Sequence, residues 1–320
     1  MLVSVVIPTL DRPKLLLRAI GSVLRQTHHD IEVIVVVDRP SLETLAAVRS
    51  VADGRLRLIV NPQPTTAGGA RNVGVDHAAG DWIAFLDDDD EWLPNKLEHQ
   101  LAFAAGRPPA LLSCLSRVVT PYAIYVWPQV IFDNSCPIDE YLFDRTTLSA
   151  GWGGIQTSSF LLPRQLFKKV RFNIDSPHDD WEFVLRLSKQ AGAPIETIPE
   201  VLVVNYFEEA RPSLTARSSS WVASLRWIDN MRPFLTRRAY SGFCLGAVAS
   251  RAARERAYVA FPELLHKAFR NGSPGPRQIV PFLAYWLTPL GIQRQLRAVF
   301  RSDLRSQSLN NMPKEAGRVT

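Results

Sequence analysis

The chain has 320 residues, 46% of them hydrophobic and 21% charged, with a formal net charge of +6. That length and balance exclude wholesale disorder and leave room for one large α/β domain with an appendage. Three scattered cysteines, Cys114, Cys136 and Cys244, exclude a disulfide framework and a zinc site of CxxC type. The charge is uneven. Residues 1–210 hold 19 Lys+Arg against 26 Asp+Glu, a net of −7, and residues 211–320 hold 18 against 5, a net of +13. An acidic front argues against a nucleic-acid face there, and a basic tail suits an anionic surface or water.

In chain order, Val3–Ile7 is a β-branched run ended by Pro8, with no basic stretch before it, and it predicts a first strand instead of a signal peptide. Asp11 is the expected N-cap of a helix over Lys14–Gln26, where Leu16, Ala19, Ile20, Val23 and Leu24 recur at helical spacing. Ile31–Val37 predicts a strand covered on both faces, and Ser41–Val51 a helix capped by Ser41. Arg55–Val60 predicts a third strand. Gly69–Ala79 predicts a small-residue helix closed by Gly80, and Trp82–Leu86 a fourth strand that runs into Asp87–Asp90. Alternation of this kind implies βαβ units and a mostly parallel sheet that binds ligands at its carboxyl edge. Asp38 and Asp87 then share that edge.

Residues 106–210 are less periodic, with a helix expected over Asp179–Gln190 and a late strand over Val201–Tyr206. From Arg211 to Asn271 the pattern is mainly helical and rich in Arg and aromatics; 271–277 is a breaker, and 306–320 reads as a disordered tail. Ile279–Ile292 is apolar, but its fourteen residues fall short of the roughly 20 that span a bilayer.

Five acids, Asp87–Glu91, directly after a buried strand call for cationic compensation. Oxygen-only ligands suit Mg²⁺ or Mn²⁺, and a solvated turn ahead of a helix is the alternative. Gly68-Gly69-Ala70-Arg71 opens a helix whose N-terminus and arginine suit a phosphate or a carboxylate; tight packing through Gly and Ala is the alternative.

Four motifs occur in order: VSVVIPTLDRP near the start, GGARNVG at 68–74, FLDDDDEWLP at 85–94 and HDDWEFVLRL at 178–187. Together they resemble a family 2 glycosyltransferase of GT-A fold over residues 1–210. The resemblance implies a Rossmann-like, mostly parallel sheet flanked by helices. Residues 1–105 would form the nucleotide-sugar and metal half and 106–210 the acceptor half, followed by a mainly helical extension over 211–305. It implies inverting transfer of a sugar from a nucleoside-diphosphate sugar to a carbohydrate or lipid-linked acceptor, with no nucleic acid as partner. The setting would be surface polysaccharide or glycolipid assembly at the cytoplasmic face of a membrane.

By the same resemblance Asp87 and Asp89 form a DxD pair, Asp89 being the direct ligand of Mg²⁺ or Mn²⁺. Asp88 faces the donor sugar or ribose, Pro8, Thr9, Asp11 and Asp38 surround the nucleotide, and Arg71 steers the diphosphate or holds the aspartate cluster. Asp180 is the base that takes the acceptor proton. Trp152, Gly153, Asp179 and Trp181 lie on the acceptor side. One departure stands out: relatives place a second acid after Asp38, and this chain has Arg39, which accepts no hydrogen bond, so the base is not assigned. The basic extension suits an anionic membrane surface, or packing on the domain or on a partner subunit of a homo-oligomer. Two other readings are a degenerate nucleotide-sugar-binding homologue and a nucleotidyltransferase, though the latter wants a glycine-rich loop after strand one.

Overall fold

The computed structural model describes residues 1–61, 66–144, 153–207 and 220–287. Among the described residues nine strands form one sheet. They are β1 (Val3–Thr9), β2 (Ile31–Val37), β3 (Leu56–Val60), β4 (Trp82–Phe85), β5 (Glu91–Trp92), β6 (Leu111–Val119), β7 (Ile124–Trp127), β8 (Leu161–Pro163) and β9 (Ile195–Tyr206). Their order is β3-β2-β1-β4-β8-β6-β9-β5, with β7 on β6. β3, β2, β1 and β4 are parallel, as are β6 and β9, and β8 is inserted antiparallel between the two groups. This is the predicted mostly parallel α/β sheet.

Alternate residues feed two cores. Val3, Val5 and Ile7 face α1 (Pro13–Leu24), α2 (Leu42–Arg49) and α4 (Lys96–Ala104). Val6, Ile34, Val36 and Phe85 face α3 (Ala67–Asp76), α5 (Ile138–Phe143), α6 (Arg164–Lys169) and α7 (Asp179–Lys189). The second core continues into the C-terminal helices. These are α8 (Trp221–Met231), α9 (Arg237–Phe243) running through a π turn at Cys244–Val248 into α10 (Ala249–Arg254), α11 (Ala260–Asn271) and α12 (Pro276–Leu287). Leu225, Trp227, Ile228, Phe243 and Phe282 are buried in the same cluster as Phe143 and Phe183. Among the described residues no helix is long and apolar enough to cross a membrane.

Three expectations need correction. Asp11 does not cap α1. It sits at φ 50° and accepts hydrogen bonds from the hydroxyls of Ser41 and Thr44, so it ties the end of β1 to the start of α2. Gly80 does not close α3, which ends at Asp76; a Cβ on Gly80 would lie 2.7 Å from Leu2 O, so close passage beside β1 is what requires glycine there. β9 begins at Ile195, six residues before the expected start. Its register jumps from Cys114↔Ile198 to Leu115↔Val201, so Pro199 and Glu200 pass outside the ladder in an irregularity that tolerates a proline without N–H.

Candidate active site

The site is built where β1, β2 and β4 end. Leu86 still bonds to β1 through its N–H (3.1 Å to Val6 O), and then the chain turns: Asp90 N–H donates to Asp87 O at 3.1 Å. In this turn the four carboxylates meet three sets of partners. Asp87 meets Arg71 Nη2 at 2.6 Å. Asp88 accepts from Thr9 Oγ1 at 2.6 Å and from Arg12 Nε at 3.1 Å. Asp89 meets Arg12 Nη1 at 2.9 Å, and Arg18 Nη2 donates to its carbonyl at 2.6 Å. Asp90 is buried and accepts from Ser158 Oγ at 2.6 Å and Gln156 Nε2 at 3.1 Å.

The family resemblance pairs Asp87 with Asp89. In the fold, Asp88 and Asp89 share Arg12, while Asp87 pairs with Arg71.

Burial sets the charge behaviour of this turn. Asp88, 1% exposed, has its pKa pushed up to about 6 by burial, against the pull of Arg12 and the Thr9 hydroxyl. Asp90 is pushed well above the carboxylate range by burial and by the charges of Asp87 and Asp89. Its role is to pin the turn: Ser158 donates to Asp90 and accepts Asp87 N–H at 3.1 Å. Thus Gln156 and Ser158 brace the aspartate turn.

Arg71 is the junction. Thr66 caps α3 through Gly69 N–H, and Gly68 lets the N-terminus of α7 come close: a Cβ there would lie 2.7 Å from Asp179 Oδ2. Arg71, 6% exposed, bridges Asp87 and Asp179 (3.2 Å to Oδ2) with its planar fork. The aspartate turn and the start of α7 thereby share one cation, which lies 108 residues before Asp179 in the chain. Asp180 is half-buried beside them, and burial and the neighbouring Asp179 charge raise its pKa, opposed by the Trp181 N–H and Arg71. A carboxyl held in that state takes up a proton more readily than a free aspartate, as a general base requires.

The other expected residues fall as follows. Pro8 and Thr9 end β1. Asp38 is buried at the end of β2, where Asn61 Nδ2 donates to it at 2.6 Å. Gly153 packs on α5, with Tyr141 O 2.4 Å from where a Cβ would stand. Trp181 is partly covered by Phe143, His178 and Phe243. Trp152 lies outside the described residues. Sequence reasoning missed Arg12, Arg18 and Asp90. Arg12 sits in the same VSVVIPTLDRP motif as Thr9, and that adjacency was its one available signal.

Asp87 and Asp89, 30% and 28% exposed, are the carboxylates open to a ligand. Among the described residues no three metal-ligating side chains converge. Mg²⁺-like cations keep waters and take substrate phosphate oxygens beside one or two carboxylates, so this oxygen-only set fits such an ion.

The chain is similar to known proteins in sequence and in fold. The sequence model of the family described as Glycosyl transferase family 2 matches residues 4–171. The amylovoran biosynthesis glycosyltransferase AmsB of Erwinia amylovora is 30% identical over 246 residues, covering 73% of this chain and 79% of that protein. The UDP-Glc:alpha-D-GlcNAc-diphosphoundecaprenol beta-1,3-glucosyltransferase WfgD of Escherichia coli is 40% identical over 157 residues, covering 46% of this chain and 62% of that one. The fold matches the mannosyltransferase PcManGT of Pyrobaculum calidifontis, solved with GDP-Man and Mn²⁺, at TM-score 0.54 and 16% identity, covering 96% and 86% of the two chains.

Proposed function

The chain belongs to glycosyl transferase family 2 and is a glycosyltransferase, and we propose that it transfers a sugar with inversion from a nucleoside-diphosphate sugar to a hydroxyl of a lipid-linked glycan. The observation that carries this reading is the Arg71 bridge, which ties the aspartate turn to the Asp179-Asp180 pair. On the donor side Thr9, Asp38 and Asp88 bind and orient the nucleotide and sugar, and Arg12 and Arg71 supply donors for its phosphates. A divalent cation held by Asp89 and Asp87 would neutralise charge on the departing diphosphate. On the acceptor side Asp180 accepts the hydroxyl proton while that oxygen attacks the anomeric carbon on the face opposite the leaving group. Trp152, Gly153, Asp179 and Trp181 line the acceptor path in this scheme.

The lipid-linked acceptor rests on the named substrate of WfgD and on the basic extension. It places the enzyme at the cytoplasmic membrane face, where exposed Arg254, Arg256, Arg270 and Arg277 meet anionic lipid. Substituting these four by Glu should abolish co-sedimentation with phosphatidylglycerol vesicles; unchanged co-sedimentation removes the membrane contact from the scheme.

The test of the reaction is donor turnover across a panel of nucleotide sugars with Mn²⁺, Mg²⁺ or EDTA, alone and with a diphosphoundecaprenol-linked sugar. Metal-dependent release of one nucleoside diphosphate is the expected result. Turnover undiminished by EDTA would refute the metal assignment. Nucleotide binding without turnover under every condition would favour a sugar-nucleotide-binding homologue.

A further inference from the structure

The N-terminus of α7 carries Asp179, which meets Arg71, and Asp180, and the same helix is also held by α8. His178 and Glu182 lie one turn apart, and both meet α8. His178 Nε2 is 3.0 Å from Ser224 Oγ, and Trp227 Nε1–H donates to Glu182 Oε2 at 2.8 Å. Ser224 and Trp227 are themselves three residues apart, so two parallel bonds join the two helices. Arg251 Nη1–H donates to Ser224 Oγ at 2.6 Å, which leaves the hydroxyl to donate to an unprotonated Nε2. Burial and the Arg251 charge keep His178 neutral. Its ring is enclosed by Trp181, Trp227 and Phe243 at 5.1, 4.8 and 5.4 Å. Asn173 Nδ2 completes the Glu182 site at 2.9 Å.

Apolar side chains would pack these helices together at lower desolvation cost. Satisfied buried polar bonds instead fix one rotation and one translation of a helix. We propose that Ser224 and Trp227 are positioning residues for transfer: by holding His178 and Glu182 they set where the Asp180 carboxylate points, so the C-terminal helices belong to the reaction apparatus and not to an appendage. The proposal rests on Asp180 being the base.

Trp227→Phe keeps an aromatic ring in the cluster and deletes the N–H; Ser224→Ala deletes the hydroxyl alone. A displacement of about 1 Å at a reacting group costs on the order of 100-fold. Each variant should therefore lose about 10- to 100-fold in kcat, using the nucleotide sugar that turns over best. Affinity for UDP and GDP with Mn²⁺, measured by calorimetry, should stay within about twofold. Glu182→Gln, which keeps an acceptor for Trp227, should recover most of the kcat that Glu182→Leu loses. Unchanged kcat in folded Trp227→Phe and Ser224→Ala overturns the proposal, and so does a parallel fall in kcat and nucleotide affinity, which marks general distortion. If Trp227→Phe fails to fold, Ser224→Ala decides. Asp180→Asn separates the two levels: if it still transfers, the base assignment fails; if it is inactive while both α8 variants are normal, only the positioning role fails.

Discussion

Asp88→Asn should stabilise the free protein and disable it. Asp88 is 1% exposed, and burial lifts its pKa from 3.8 to about 6 even with Arg12 and Thr9 against it. The folded-state value lies above the unfolded one, so this group's contribution to stability is fully present below pH 3.8 and is lost as pH rises through 6. A shift of about two units corresponds to a penalty of about 3 kcal/mol above pH 6. Asparagine has the shape and charge of the protonated acid and escapes that penalty, while Arg12 keeps its contact with Asp89 at 2.9 Å. In EDTA at pH 8, without nucleotide, the variant should melt about 5 °C higher. At pH 4.5, where the wild-type carboxyl is protonated in the folded state, the gain should shrink to about 1 kcal/mol. Nucleotide affinity should fall at least about tenfold, a trade of function for stability seen where charge is buried for use. The measurements are thermal denaturation at the two pH values and calorimetry with UDP and GDP. A variant that is no more stable at pH 8, or whose gain is the same at both pH values, would refute the reasoning.

Three further perturbations follow from the same geometry. Arg71→Met leaves Asp87 and Asp179 facing each other without their shared cation and should cost about 3–5 kcal/mol in denaturant unfolding; Arg71→Lys, with charge but no fork, should lie between. Gly68→Ala puts a Cβ 2.7 Å from Asp179 Oδ2 and 3.0 Å from Phe172 Cβ, so it should cost about 1–3 kcal/mol and reduce transfer. Gly54→Ala, which meets nothing within 4 Å, is its control, and equal behaviour of the two would contradict the close approach of α7 to α3. His178 has its pKa lowered from 6.5 to about 3 by burial and by Arg251. Below pH 6.5 the unfolded chain therefore takes a proton that the folded chain refuses, and stability present above pH 6.5 is lost on the way down, by about 4–5 kcal/mol in all. His178→Phe should flatten the denaturant midpoint between pH 7.5 and 4.5, and an unaltered slope would show that other groups carry it.

The first half of the sheet was legible because its strands and helices keep clean periods. Val3–Thr9 and Ile31–Val37 are β-branched runs, and α1 repeats its apolar residues every third or fourth position. Two of the elements that escaped, β6 and α4, carry polar residues on their buried faces. β6 reads LLSCLSRVV, with Ser113 and Ser116 both buried. α4 buries Lys96 and Gln100, whose side chains bond to each other at 2.6 Å, so its inner face looks like a surface. Once the pattern of apolar residues no longer marks what is inside, periodicity carries no information about the element.

The candidate site divides in the same way. The sequence by itself determined that acids stand at the end of an apolar strand, that glycines open α3, and that an acidic pair opens α7, because each depends on neighbours in the chain. It also determined the family, through four motifs in order. Only the tertiary structure decided which carboxylate meets which cation: Arg12 with Asp88 and Asp89, Arg71 with Asp87 and Asp179, and Ser158 with Asp90. Those partners are 68 or more residues apart except for Arg71 and Asp87, and a single turn at Asp87–Asp90 presents all four side chains. The same holds for the helices after residue 220, whose composition announced helix and positive charge. That they close over α7 through Ser224 and Trp227 follows from shape and hydrogen-bond partners that come together only when the chain is folded.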